Sequence, residues 1–528
     1  MRSSHELLLV NGQVLTLEAE DAPCSALLVR DGRVVAAGSA DRLRTLCGAG
    51  AQIVDLDGRT VVPAFTDAHA HIWKLGHLLT TMLDLRRTPS LVALCQEVTR
   101  RDRNLPAGAW LLGRGFNEIV LAEQRKPNRE DLDRAAPHRP VALTRTCGHI
   151  YACNSAALHL AGIDRNTPDP PGGVIERDEN GEPNGLLHEM AMGLINRVLP
   201  SPSASDYKEM VQAALRHQLA LGITASSDCG VIPELLEVYL EMDRRGELPS
   251  RVSVMPLRRV DARPEPVPLP AQHASPMLRV DTVKFLADGG LSGATAALSI
   301  PYRHADTRGT LRFETSELRS LCQESHDAGW IIATHAIGDI AIDQVLDIYE
   351  GLGAHPRGLR HRIEHFGLPS GEHLARAARL GVISVPQSIF MYSFGENFAA
   401  MLPDEFMPRT YPLRSMLDAG LDVALSSDAP VVEEDSPLMG MYAAVTRRTQ
   451  KGRELQPEQR ITVSEALRGY TVSGALAWGD LATRGTLAPG KWADLAVLSK
   501  NPLQVDAEEL PILRVEATYL AGERVYEA

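Results

Sequence analysis

The sequence predicts an α/β chain: a barrel of eight β/α units, a small β-domain assembled from both ends, and an insertion after the first barrel strand. Three observations carry this. Short apolar runs alternate with amphipathic stretches through the middle of the chain, the pattern of a parallel sheet with helical crossovers. Both ends have a different texture, with apolar strands around Asn-Gly, Asp-Gly and Ala-Gly turns. Roughly 150 residues separate the first strand candidate from the second, far too many for one crossover.

The amino-terminal end contains ELLLVNGQVLTLE and ALLVRDGRVVAAG, with Asn11-Gly12 and Asp31-Gly32 between apolar runs. Each dipeptide predicts a hairpin, because both central residues of a tight turn tolerate positive φ. KWADLAVLS and VEATYLAGERVYEA, the latter around Ala521-Gly522, repeat the texture at the other end. Chain termini often lie close together, so residues 1–59 and 485–528 are expected to form one small β-domain.

Residues 60–484 hold the eight barrel-strand candidates: TVVPAFTDAHAH (60–71), GITASSD (222–228), RVSVMPL (251–257), DTVKFLADG (281–289), WIIATHA (330–336), HRIEHF (361–366), GVISVPQ (381–387) and DVALSSD (422–428). SELRSLCQESHDAG, AIDQVLDIYEGLG, GEHLARAARLG and PLRSMLDAG read as helices between the later strands, each ending in Gly. Eight such units predict a TIM-type barrel. The long gap places an inserted subdomain at about 105–190, where PDPPGGVIERDENGEPNG has the composition of a hairpin or flap.

The 528 residues are 44% hydrophobic and 23% charged, ordinary for a globular protein. A net charge of −13 without a long basic run argues against nucleic acid or an anionic membrane as partner. No apolar stretch approaches a membrane span, and Leu7 to Val10 is too short for a secretory core. Seven dispersed cysteines without CxxC spacing read as free thiols in a reducing compartment, so a cytoplasmic location is expected. A small-molecule substrate and a homo-oligomer, a dimer first of all, complete these expectations.

The functional signal lies at the strand ends. In Asp67-Ala-His69-Ala-His71 alternate side chains share a face, so two imidazoles project together at the end of strand one, with Asp67 deeper in a supporting place. Lys284 lies on strand four, His335 and His365 end strands five and six, and Asp428 ends strand eight. Functional residues of a TIM-type barrel sit at the C-terminal strand ends, so residues of metal-binding type converge on one mouth. Glu364 neighbours His365 and is expected on the opposite face. Asp339 opens a helix after His335 and is expected to cap it or to orient a ligand. In SIFMYSFGENF, Phe390, Tyr392 and Phe394 cluster in a chain only 5% aromatic and are expected to line an apolar or aryl pocket from a loop after strand seven.

This pattern, HxH on strand one, Lys on four, His on five and six, Asp on eight, is similar to that of the amidohydrolase superfamily of metal-dependent hydrolases. GHIYACNSAAL with AGI, PPGGVIERDENGEPNG, VKFLADG, THAIGD, RIEH and APGKWADLAVL resemble its YtcJ-like (amidohydrolase-3) branch, and the resemblance spans nearly the whole chain. Two positions depart from it: Cys147 stands where relatives often carry Asp, and Ala64 where Gly is common.

The resemblance implies a β-sandwich for the terminal domain. It implies one Zn²⁺ held by His69, His71 and Asp428 and a second by His335 and His365, bridged by a CO₂-derived carbamate on Lys284; an unmodified Lys284 would leave a single metal. Metal-activated hydroxide would attack a carbonyl, with Asp428 as base and then acid, cleaving a C–N bond in an amide, N-formyl or carbamate-like substrate. His149, in GHIYACN, is the candidate oxyanion donor or substrate ligand; a buried turn histidine is the other reading. Cyclic-amide or lactone opening uses the same hydroxide. A one-metal deaminase would usually carry Glu three residues after the strand-five His, where this chain has Gly338. A metal-free scaffold on the same fold would have lost ligands that this chain keeps.

Overall fold

The computed structural model describes residues 6–18, 24–48, 50–106, 108–146, 148, 150–170, 172–260, 265–303 and 306–528. The chain forms two compact units, Met1–Ile72 with Ala214–Ala528, and Trp73–Ala213. The fold is α/β, and among the described residues no helix is long and apolar enough to cross a membrane.

In the first unit the two ends of the chain build two sheets. One runs in the order Arg33–Gly38, Ala26–Arg30, Glu6–Val10, Gln52–Asp55; the other Gln13–Val14, Thr60–Pro63, Leu495–Leu498, Val515–Leu520, Glu523–Glu527. Leu7, Leu9, Leu27, Val29, Val61, Leu495 and Val497 share one core, each burial contributing about 1.5–3 kcal/mol. Leu8 and Val10, on the other face of their strand, pack with Leu43 of the short helix Ala40–Arg44, so Glu6–Val10 is buried on both faces.

Asp31-Gly32, at φ 50° and 77°, makes the expected hairpin between Ala26–Arg30 and Arg33–Gly38, and Ala521-Gly522 makes another. Asn11-Gly12 does not. It turns the chain, but the strands on either side lie in different sheets. A Cβ on Gly12 would fall 2.4 Å from the Leu56 side chain, so glycine there answers to a tight crossing, not to a hairpin.

Eight parallel strands follow one another: Phe65–Ala70, Ile223–Val231, Arg251–Pro256, Thr282–Leu286, Ile331–Ala336, Arg362–His365, Ile383–Val385 and Asp422–Val423. Parallel ladders join one to two, two to three, and each of four to eight to the next. Strands three and four meet at a parallel bridge between Leu257 and Lys284. Past strand eight, Asp428 N–H donates to His69 O at 2.8 Å and His71 N–H to Ala429 O at 2.8 Å, bringing the last strand's end back to the first.

Most of the predicted strands are shorter than expected, two of them markedly so at the site. TVVPAFTDAHAH divides at Ala64: Thr60–Pro63 belongs to the terminal sheet, and only Phe65–Ala70 to the parallel set. DVALSSD keeps a ladder only at Asp422–Val423, and its backbone reaches positive φ at Asp428.

Helices cross between the strands: Thr315–Asp327, Asp339–Leu352, Gly371–Arg379 and Leu413–Asp418 where the periodicity predicts them, and Pro233–Arg244 besides. Thr315–Asp327 buries Leu318, Leu321, Cys322, Ser325 and His326, a stripe at helical spacing, and the chain leaves it through Gly329 at φ 76°. Gly371–Arg379 starts from a capping box of Ser370 and His373. At the entry side of strands five and six, His326 Nδ1 lies 2.9 Å from His361 Nε2, and His361 Nδ1 accepts from Ile332 N–H at 3.1 Å.

In the second unit a six-stranded sheet runs Gly173–Arg177, Pro183–Glu189, Ile150–Cys153, Val141–Arg145, Leu111–Phe116, Leu83–Asp84. The polar PDPPGGVIERDENGEPNG stretch supplies its edge hairpin, where Asp178 Oδ1 accepts from the Asn180 and Glu182 amides. Leu94, Val98, Leu111, Leu132, Val141 and Leu143 fill the core between this sheet and its helices.

Candidate functional site

His69 and His71 end strand one, and Asp428 comes to them from strand eight. Asp428 Oδ1 lies 3.2 Å from His71 Nε2 and 3.5 Å from His69 Nε2. The His365 ring is 4.7 Å from that of His69 and 4.4 Å from that of His335, centroid to centroid. Ligand-type atoms of His69, His365 and Asp428 all fall within 4.8 Å of one another. Lys284 is 2% exposed, and among the described residues its Nζ has no hydrogen-bond partner. Its charge acts on His69, His365 and Asp428. The six expected residues therefore stand together at one end of the parallel strands.

The second nitrogen of three imidazoles is held. His69 Nδ1 is 2.5 Å from Glu364 Oε2. His365 Nδ1 is 2.6 Å from Gln387 Oε1, whose amide orientation is set because Nε2 donates to Val385 O at 3.1 Å and Ser426 Oγ at 2.9 Å. His335 Nε2 is 3.0 Å from Gly289 O and 3.3 Å from Asp288 Oδ1. Carboxylate and carbonyl oxygens only accept, so each facing nitrogen carries the hydrogen. That leaves Nε2 of His69, Nε2 of His365 and Nδ1 of His335 as the lone-pair nitrogens.

Electrostatics keep His69 and His365 neutral. Burial, then the Lys284 charge, holds His69 well below the usual imidazole range; burial and His335 do the same for His365. Burial also lowers Lys284, against the pull of Glu364 and Asp428. For Asp428 burial works upward, but the His71 hydrogen bond, the facing imidazoles and the Lys284 charge outweigh it and hold the carboxyl below its ordinary range. Neutral imidazoles with lone pairs, an ionised carboxylate and a partnerless buried amine are a donor set that fits a divalent transition metal.

Glu364 corrects the expectation of strict alternation. Its carboxylate lies at the centre, against His69 and Arg362, all three nearly inaccessible. His365 reaches the same place because its backbone leaves the strand at φ 68°, followed by Phe366 at φ 47°. The i, i+2 alternation applies only while the backbone stays extended. Gln387, Gly289 and Asp288 are further contributors that residue type did not reveal.

Asp67 accepts from His69 N–H, Ser427 N–H and Ser427 Oγ, tying strand eight to strand one; burial pushes its carboxyl up to about 7 despite these bonds. Asp339 is not the helix cap, which is Gly338. Its carboxylate accepts from Ser299 N–H at 2.9 Å and Ser299 Oγ at 2.5 Å, holding the loop after strand four. Asp288 holds the chain just before this helix, accepting from the Ile337 and Gly338 amides, and it also accepts from the Ala297 amide.

Phe390, Tyr392 and Phe394 lie on a helix, Ile389–Met401, where a loop was expected. Phe390 stacks at 6.4 Å beside His365, and Phe394, four residues on, packs against it at 5.3 Å. Tyr392 turns elsewhere, toward Tyr442. His149 and Cys147 lie outside the described residues.

The profile described as "Amidohydrolase family" matches residues 52–526. YtcJ of Bacillus subtilis (strain 168) is 33% identical, over 98% of this chain and 98% of its own length. The N-substituted formamide deformylase of Arthrobacter pascens is 32% identical, over 100% of this chain and 99% of that enzyme. Among solved structures, an uncharacterized metal-dependent hydrolase from Pyrococcus horikoshii OT3 superposes with a TM-score of 0.78 at 28% identity, covering 95% of this chain and 99% of that one.

Proposed function

The chain belongs to the amidohydrolase family, and from that premise we propose that it hydrolyses a C–N bond in a small amide, N-formyl or carbamate-like substrate with the help of bound metal. One observation carries the reading: His69, His71, Lys284, His335, His365 and Asp428 stand together, with His69 and His365 neutral and the amine without a hydrogen-bond partner among the described residues. The formamide deformylase relative supports a C–N bond as the target.

In this reading His69, His71 and Asp428 would hold one zinc ion, and His335 and His365 a second. A carbamate on Lys284 would supply the remaining anionic ligand. The buried, partnerless Nζ supports that modification: an amine of lowered pKa is neutral often enough to add to CO₂, losing one proton as the carbamate forms. When bound, such metals lower the pKa of water to about 7 and polarise a carbonyl. The chain's own part falls to Asp428. Its ionised carboxylate accepts the proton of the attacking water and returns it to the leaving nitrogen. His149 is proposed to donate to the developing oxyanion or to bind substrate. Phe390, beside His365, and Phe394, packed on Phe390, are proposed to face an apolar or aryl substituent; Tyr392, packed on Tyr442, is the weaker member of that group.

The run of parallel strands, with the hydrogen bonds from Asp428 and to Ala429, supports a closed (β/α)8 barrel over 60–484 with an inserted subdomain near 105–190. The two terminal sheets around one core support a β-sandwich of 1–59 with 485–528. The cysteines described in the structure are all free, in keeping with the cytoplasm. A small-molecule substrate, no nucleic acid or membrane partner, and a homodimer complete the proposal. Elemental analysis of active protein, with a panel of N-formyl, N-acyl and carbamate compounds, tests it. Active protein free of transition metal would end the metal reading, and turnover of only cyclic amides or lactones would move the target.

A further inference from the structure

We propose that Glu364, backed by Arg362, is the positioning residue for His69 and decides which ring nitrogen His69 offers to the metal centre; this rests on the metal-dependent reading above.

Glu364 and Arg362 are both 0% exposed, so neither faces solvent. Oε1 of Glu364 accepts from Arg362 Nε at 2.5 Å. Oε2 accepts from Arg362 Nη2 at 3.0 Å and lies 2.5 Å from His69 Nδ1. Arg362 is fixed in turn, its Nη2 donating to Ala68 O at 2.6 Å, the carbonyl just before His69. The pair thus reaches from strand six to strand one and grips the histidine by its ring and by its backbone.

Stability does not call for this arrangement. Replacing a buried ion pair by apolar residues of similar volume is often neutral or stabilising, because two desolvated charges rarely repay their hydration. What the pair does supply is a fixed tautomer. With both oxygens accepting from Arg362, Glu364 faces His69 as an acceptor, so His69 keeps its hydrogen on Nδ1 and its lone pair on Nε2, the atom 3.5 Å from Asp428 Oδ1. The other rings are served differently. His365 leans on the neutral amide of Gln387, and His335 on the Gly289 carbonyl, while Asp288, at 3.3 Å from His335, also accepts from three backbone amides. A carboxylate partner makes a ligating imidazole more basic as well as oriented, and losing one typically weakens metal binding 10- to 100-fold.

The test uses full-length protein and three variants: Glu364→Gln, the apolar pair Arg362→Met with Glu364→Leu, and Asp494→Asn as a control that breaks the buried Arg251–Asp494 pair elsewhere in the same unit. Zinc affinity is measured by chelator competition. The His69 tautomer is read in metal-free protein from ¹⁵N shifts assigned with His69→Asn, and melting temperature is followed throughout. Glu364→Gln and the apolar pair should each bind zinc roughly 10- to 100-fold more weakly. The apolar pair should melt no lower than the parent. Asp494→Asn should melt lower yet keep its zinc affinity. Wild-type His69 should carry its hydrogen on Nδ1. Zinc affinity within about twofold of the parent in Glu364→Gln, or a wild-type hydrogen on Nε2, would overturn the inference; should the apolar pair not fold, these two readouts still decide. A parent protein that binds no metal would instead overturn the reading beneath it.

Discussion

Asp428 Oδ1 stands 3.2 Å from His71 Nε2, on a backbone bent to φ 57°. The bend takes the carboxylate out of the strand's alternation and sets it among the imidazoles, where it stays ionised. If it carries the proton, Asp428→Asn keeps the shape and loses the base. kcat should fall by roughly 10² to 10⁴, with metal content changing much less. The deficit should be largest for unactivated amides, whose basic leaving nitrogen needs the returned proton, and smaller for anilides with good leaving groups. Near-parental turnover of an unactivated amide by Asp428→Asn would remove Asp428 from the chemistry.

Metal removal should be separable from unfolding. The double change His69→Ala, His71→Ala takes two imidazole donors from the site and leaves the backbone pairing of strand one untouched. Zinc content and activity should both collapse, while far-ultraviolet circular dichroism stays close to the parent's. Dialysis against a chelator should do the same reversibly in the unmutated protein. Full activity after exhaustive chelation, checked by elemental analysis, would contradict the proposed function.

Lys284 makes a narrower prediction. Lys284→Ala removes the proposed bridge and should lower occupancy of the second metal more than the first. Added short-chain carboxylates should restore part of the lost activity by standing in for the carbamate. Intact-protein mass under CO₂, or density at high resolution, reports the modification directly. A plain Lys284 ammonium bonded away from the imidazoles would favour a single metal.

Acid should destabilise the fold through the histidines away from the site. Burial, with His355 and His326 nearby, holds His361 down to about 3, whereas the unfolded chain takes up its proton near 6.5. Between those values the unfolded state binds more protons, so stability is complete above about pH 6.5 and falls as pH drops toward 3. Geometry gives the same sign, because protonating His361 at Nδ1 would set N–H against the Ile332 amide. Melting temperature should therefore drop between pH 7.5 and 5, and His361→Gln should flatten that drop. Equal slopes in parent and variant would show that His361 is not the group responsible.

Much of the centre was legible because its residues lie at strand ends, where residue type and position together point one way. His69, His335 and His365 each close an apolar run, and few side chains but metal ligands make sense of that repetition. Glu364 was not legible, since its role depends on what the backbone does at His365, and positive φ at a non-glycine residue leaves no mark in the sequence. Asp288 and Gln387 were hidden for another reason: they act on ligands across strands, and that pairing exists only in three dimensions. Asn11-Gly12 reads in sequence like Asp31-Gly32, and only the crossing beside Leu56 separates a change of sheet from a hairpin.

The break at Ala64 has a consequence for biosynthesis. Thr60–Pro63 pairs with Leu495–Leu498, while Phe65–Ala70, directly after it, leads to His69. The partner segment is translated after every one of the parallel strands. Until it emerges from the ribosome, Thr60–Pro63 is paired on one side only, by Gln13–Val14, and its other apolar edge is open. A nascent chain of this protein thus carries an open strand edge just before its first histidines until nearly all of it has been made. Long-range pairing of this kind is slow and exposes sticky edges, so expression at low temperature or with abundant chaperones should raise the yield of metal-competent protein.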